Sequence, residues 1–221
     1  DVQRWTRDWG NTYDFIGPEK YRENSIAIIS SHDMSPLIMW WEQEASTVDA
    51  LLVEKICAEH GFEPEEVHKS LFDMKRSSPR RLRWLPEVRM PEEVLRALGK
   101  TRDEAWMFYD MNRESYSEKE KFWEYIGLDG KPSDKATKEF VSAAIAKISS
   151  VRSIFSIQLI QDWLSLGNCF DGWDSSDARV NTPGSISGRN WSVIMPVSLK
   201  DMMNMDINKQ IAEINRKTGR I

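Results

Sequence analysis

The residues best placed to do chemistry are His32 and Asp33, an imidazole and a carboxylate that emerge together from an apolar run. That run, Ser25-Ile26-Ala27-Ile28-Ile29-Ser30-Ser31, contains neither Gly nor Pro and reads as a strand over 25–31 buried on both faces, as in a parallel sheet. Proteins with β/α alternation bind ligands at the carboxyl ends of their strands. The functional reading is a carboxylate and an imidazole pointing into a pocket at the carboxyl edge of the sheet. A competing reading makes Asp33 the N-cap of the helix that follows, with Ser35 as a rival cap and His32 merely packed. His60 and His68 stand in helical, charged surroundings and read as surface residues.

The elements that must position this pair follow from periodicity and punctuation. A second strand is expected over 154–160, rich in β-branched and aromatic residues. Gln161-Asp162 follow it directly, facing the same sheet edge or, more simply, capping the next helix. From 37 to 149 the pattern is helical. Gly61 and Gly99 suit helix ends, Pro64 and Pro91 suit helix starts, and Thr101 with Glu104 makes a capping box. Ser133 is expected to cap the segment whose stripe is Phe140, Ala143, Ala144, Ile145 and Ile148. The basic stretch from Lys75 to Arg89, with two prolines, reads as a surface loop. A loop runs over 167–197, with a tight turn at Asn181-Thr182-Pro183-Gly184, and a helix over 198–217 closes the chain behind Ser198 and Asp201. Strand, helical stretch, strand, loop and helix make a piece of a β/α alternation with too few strands to close a sheet.

Composition removes several classes. The chain has 221 residues, with 30 Lys and Arg against 35 Asp and Glu, a net charge of −5. That balance argues against nucleic acid or an anionic membrane as the main partner. No apolar run approaches the roughly 18 residues of a membrane span. Cys57 and Cys169 form no disulfide framework and no metal-ligand spacing, which favours a reducing, cytoplasmic setting. The chain starts at Asp1 without an initiator Met or a signal peptide, as expected of part of a longer protein. Motifs of zinc peptidases, dinucleotide enzymes, nucleoside triphosphatases and α/β-hydrolases are missing from the sequence. Ten Trp stand against five Tyr and eight Phe. Trp is favoured where an apolar face meets a polyhydroxylated or half-wet surface, but for most of them, Trp40, Trp41 and Trp191 included, core packing is the simpler reading.

Ser30-Ser31-His32-Asp33-Met34-Ser35-Pro36-Leu37 with Trp40-Trp41-Glu42 resembles a conserved segment of the 4-α-glucanotransferases (amylomaltase or disproportionating enzyme, glycoside hydrolase family 77). Two further segments are similar to that family: Leu159-Ile160-Gln161-Asp162-Trp163-Leu164-Ser165-Leu166-Gly167, and Arg179-Val180-Asn181-Thr182-Pro183-Gly184 with Asn190-Trp191. They occur in the family's order. Met34 stands where the family usually has Thr, and Ile194 where an Arg is usual.

The resemblance implies the C-terminal portion of an α/β protein, a (β/α)8 TIM barrel, holding about the last two strands and a large helical insertion, so that most residues are helical. It implies a retaining transfer of α-1,4-glucan segments between maltooligosaccharides. Asp33 would be the transition-state stabiliser, His32 a sugar ligand beside it, and Asn181 a residue at the edge of the donor site. The nucleophile and the acid/base have no counterpart in these residues and are expected N-terminal to Asp1. No metal or organic cofactor is implied. Retaining glycoside chemistry needs two carboxyl groups about 5 Å apart, which Asp33 alone does not supply. The alternative is a non-catalytic, helical carbohydrate-binding or scaffolding module.

Overall fold

The computed structural model describes residues 1–167, 169–170 and 172–221. In chain order the elements begin with β1 (Ile26–Ala27), α1 (Leu37–Met39), a π-type turn over Trp40–Glu44, β2 (Val48–Asp49), α2 (Ala50–His60) and α3 (Pro64–Leu71). Next come β3 (Arg81–Leu82), α4 (Pro91–Leu98), α5 (Arg102–Ser115), α6 (Glu118–Tyr125) and α7 (Lys138–Ser149). The chain ends with β4 (Phe155–Ser156), α8 (Ile160–Leu164), α9 (Leu199–Met202) and α10 (Ile207–Lys217). Helix dominates and strands are few. The chain divides into two compact units, one of Asp1–Glu42 with Glu120–Ile221 and one of Gln43–Lys119. Among the described residues no helix is long and apolar enough to cross a membrane.

In the first unit β1 is flanked on both edges. It pairs in parallel with β4, Ile26 opposite Phe155 and Ala27 opposite Ser156. Val2 forms a parallel bridge to Ile28, with Gln3 N–H donating to the Ile28 carbonyl at 2.8 Å. Residues 26 and 28 therefore bond to one neighbour and residues 25 and 27 to the other, the alternation a parallel ladder requires. All three segments point their carboxyl ends to one edge.

The ladder is shorter than the expected strand over 25–31, and side chains end it. Ile29 N–H donates to Gln158 Oε1 at 2.8 Å instead of to a strand carbonyl. The Ser30 hydroxyl donates to the Asp162 carboxylate. The second strand likewise stops early, because helix α8 already begins at Ile160. The apolar side chains of Ile26, Ile154, Phe155 and Ile157 stay about half exposed.

The core of this unit is an aromatic cluster on α7. Phe140, Val141, Ala144, Ile145 and Ile148 are almost fully buried. Trp41 packs against Phe140 at a tilt of 33° with ring centroids 4.2 Å apart, and Trp40 meets Phe122 edge-on at 4.9 Å. The indole N–H of Trp41 donates to the Ser133 carbonyl at 2.9 Å, which makes its burial tolerable. Trp40 and Trp41 are thus core residues. Thr137, not Ser133, caps α7, its hydroxyl accepting from Phe140 N–H. The single helix expected over 198–217 is broken between α9 and α10. There the Asn208 amide donates to the Met202 and Met203 carbonyls, taking the place of the next helical turn. In the loop expected over 167–197, Asn168 and Asp171 lie outside the described residues; the rest contains one 3-10 turn at Ser175–Ala178.

The second unit packs α2 to α5 around Val53, Val67, Leu71, Phe72, Val94 and Phe108. Its helix ends are as the sequence predicts: Gly61 and Gly99 take left-handed backbone at φ +70° and +62°, and Thr101 N–H donates to Glu104 Oε2 at 2.8 Å. The stretch 75–89 is a surface loop only in part, because Leu82, Trp84 and Val88 are buried. β2 and β3 pair antiparallel, Val48 opposite Leu82, and the alternation of Leu82 and Trp84 drives both into the core. Trp84 can be buried because its indole N–H finds Ser115 Oγ at 2.8 Å. His68 is half-buried against Phe72 rather than on the surface.

Candidate active site

Where β1 ends, the chain makes a turn closed by Met34 N–H on the Ser31 carbonyl at 3.0 Å, with His32 and Asp33 at its tip. Their side chains remain about half exposed, at 53% and 48%. Asp33 Oδ2 lies 3.3 Å from His32 Nε2. Asp33 Oδ1 accepts a 2.6 Å hydrogen bond from the Asn181 amide, 148 residues away in sequence. Asn181 is docked a second time, its backbone N–H donating to the His32 carbonyl at 3.1 Å. The three residues singled out in the sequence as candidates for the site are therefore in mutual contact.

Both segments are braced from behind. The Arg179 guanidinium donates to Ser35 Oγ at 2.6 Å and to the Asn181 carbonyl at 2.9 Å, crossing from one segment to the other. Arg4 donates to the Ser35 carbonyl at 2.9 Å. Asp33 does not cap the following helix, and Ser35 is engaged by the two arginines. The first helical N–H, that of Leu37, donates instead to Asp162 Oδ1 at 2.9 Å. Asp162 is wholly buried, and burial pushes its carboxyl above the usual carboxylate range, opposed by the Ser30 and Leu37 hydrogen bonds and by the Arg4 charge. The expectation that Asp162 caps its own helix is thus corrected. It lies inside α8 and serves the start of α1.

Trp191 completes the rim. Its ring lies 5.1 Å from the His32 ring, tilted by 39°, and it is 66% exposed. Its left-handed backbone, φ +61°, is held by its N–H on the Val180 carbonyl at 2.8 Å. Sequence reasoning left Trp191 beside Trp40 and Trp41 as a packing residue; only its place opposite His32 separates it from them. Next to this rim a cleft of about 450 Å³ is lined by Trp173, Asp177, Arg179, Arg189 and Ile194 among others. Arg189 and Asp177 pair across it at 2.7 Å. Ile194 thus occupies a cleft wall, while Met34 is buried beneath the turn.

One sheet edge thus carries a braced carboxylate and an imidazole, with an exposed indole from the 179–191 loop beside them. The family model described as 4-alpha-glucanotransferase matches residues 1–199, and the chain belongs to this family. A 4-alpha-glucanotransferase of Chlamydia caviae is 20% identical over 217 residues, 98% of this chain and 27% of the relative. One of Chlamydia muridarum is 38% identical over 42 residues, 19% of this chain and 8% of the relative. Among solved structures, amylomaltase from Corynebacterium glutamicum aligns with a TM-score of 0.44 at 13% identity, covering 97% of this chain and 25% of that one. The chain thus spans about a quarter of the length of relatives it matches along nearly all of its residues.

Proposed function

We propose that these residues are the C-terminal portion of the (β/α)8 catalytic barrel of a 4-α-glucanotransferase that moves α-1,4-glucan segments between maltooligosaccharides with retention of configuration. In this reading β1 and β4 are the last two barrel strands. The half-exposed apolar face of Ile26, Phe155 and Ile157 supports it, since further strands would cover such a face. The cytoplasm is the setting we assign, in keeping with two cysteines that are too few for a disulfide framework.

The observation that carries the reading is the grip of Asn181 on Asp33. Cleavage of a glycosidic bond develops positive charge on the anomeric carbon and ring oxygen. A carboxylate held in place by an amide and flanked by an imidazole needs no reorganisation to meet that charge, so it favours the transition state over the ground state. His32 is suited to hydrogen-bond a sugar hydroxyl, Asn181 to orient Asp33 at the donor edge, and Trp191 to lie against a ring. The covalent step belongs to an Asp nucleophile and a Glu acid/base supplied by preceding residues. No step calls for a metal or an organic cofactor.

The test is made in the longer polypeptide. With maltotriose it yields a ladder of longer maltodextrins together with glucose or maltose, and Asp33→Asn lowers the rate about 10²–10³-fold. A ladder of undiminished rate in Asp33→Asn rejects the role of Asp33. Hydrolysis without chain lengthening rejects the transferase reading. The 221 residues alone turn over no maltotriose; turnover by them rejects the assignment of the nucleophile to preceding residues. Maltodextrin binding by a longer polypeptide that never turns it over would mark a non-catalytic carbohydrate-binding module.

A further inference from the structure

We propose that Asp162 is the positioning residue of this site: its buried carboxylate ties together the two ends of the segment that carries His32 and Asp33, and so sets where Asp33 points. The inference rests on the proposed role of Asp33 in glucan transfer.

The geometry is specific. One carboxylate oxygen takes the Ser30 hydroxyl, 132 residues away, and the other takes Leu37 N–H, 125 residues away. Ser30 is the last residue of the strand approach and Leu37 the first of α1, so a single rigid group on α8 closes the base of the whole turn. Neither bond leaves room for water, because Asp162 is fully buried and Ser30 nearly so.

A helix start does not require this arrangement. Asp33 and Ser35 both precede α1 and are of the preferred capping types. Yet Ser35 is buried with its hydroxyl taken by Arg179, and Asp33 stays half exposed at the tip of the turn. Instead the fold takes a carboxylate out of water for that task, at a cost its hydrogen bonds and the nearby Arg4 charge only partly offset. The consequence is that Asp33 is relieved of capping. Its carboxylate is left projecting outward, where Asn181 and His32 meet it.

The experiment compares Asp162→Ala, Asp162→Asn and Ser30→Ala. Turnover of maltotriose and amide hydrogen exchange are both measured in the longer polypeptide. Asp162→Ala is expected to lower kcat about 100-fold, the scale of an ångström-sized misplacement at a reacting centre, with KM changed less than about threefold. Asp162→Asn keeps an acceptor for Leu37 N–H and can donate to Ser30 Oγ, so it is expected to recover kcat to within about tenfold of the parent. Exchange in Asp162→Ala should accelerate at Leu37, Met34 and Asn181 while the amides of α7 stay protected.

If Asp162→Ala does not fold, Ser30→Ala and Asp162→Asn decide. The first should lose several-fold in kcat at unchanged KM. Full activity of both, or a loss in Asp162→Ala that merely tracks the unfolded fraction, overturns the proposal. An inactive Asp33→Asn beside a fully active Asp162→Ala overturns the positioning role alone. An active Asp33→Asn overturns the reading beneath it, and the exchange pattern then still reports whether Asp162 orders the turn.

Discussion

Removing the Asn181 side chain tests whether that residue acts through Asp33 or on its own account. Asn181→Ala deletes the 2.6 Å bond to Asp33 Oδ1 and little else. The backbone bond from Asn181 N–H to His32 and the Arg179 bond to the Asn181 carbonyl involve no side-chain atom of Asn181 and survive. A hydrogen bond to a charged group contributes about 1.5–3 kcal/mol when dry. Asp33 is 48% exposed, so water replaces much of what is lost, and the remainder is about 1 kcal/mol. That corresponds to a roughly fivefold fall in kcat/KM. Asp33→Asn removes the charge itself and is expected to cost far more. The double variant Asp33→Asn/Asn181→Ala should then be no slower than Asp33→Asn, because the amide has no carboxylate left to hold. Initial rates of glucose release from maltotriose by the longer polypeptide supply all four corners of this cycle. A loss in Asn181→Ala as large as that in Asp33→Asn would refute the reasoning, as would additive losses in the double variant. Either would mean that Asn181 meets the substrate directly.

Three further outcomes are expected. Phe140→Ala empties the centre of the aromatic cluster against Trp41 and should cost about 3–5 kcal/mol in denaturant unfolding, with kcat lost only through unfolding. Asp162→Asn should change how stability depends on pH. Because burial raises the Asp162 pKa in the folded state, its proton is held more tightly there than in the unfolded chain, so the stability this provides is present at low pH and lost as pH rises through the folded-state pKa. The stability of Asp162→Asn relative to the parent should therefore improve from about pH 4 towards neutrality; a difference that does not vary with pH would contradict this. Trp191→Ala removes an exposed ring beside His32 and should raise KM for maltooligosaccharides severalfold with kcat little changed.

Much of this protein is legible in local order. The helix ends at Gly61 and Gly99 and the box of Thr101 with Glu104 are decided within a few residues, by left-handed backbone and by a side chain reaching its own N-terminus. The position of His32 and Asp33 after an apolar run likewise marks the candidate site within the sequence. What local order cannot reveal is which groups partner across the chain. Trp40, Trp41 and Trp191 are the same residue type, yet two lie in the core and one at the rim, a distinction made by the placement of α7 and of the 179–191 loop. The strand over 25–31 ends early where the Gln158 side chain takes the Ile29 N–H, an interception that leaves no trace in the strand's own residues.

The sequence by itself determined where helices start and stop, which residues carry charge into a sheet edge, and the family resemblance those residues bear. Only the tertiary structure decided that Asp33 projects outward rather than capping a helix. That choice depends on a carboxylate 125 residues beyond Leu37 taking up the helix's first N–H. A hydrogen bond is satisfied by proximity in space, and proximity at that separation exists only once the chain has folded.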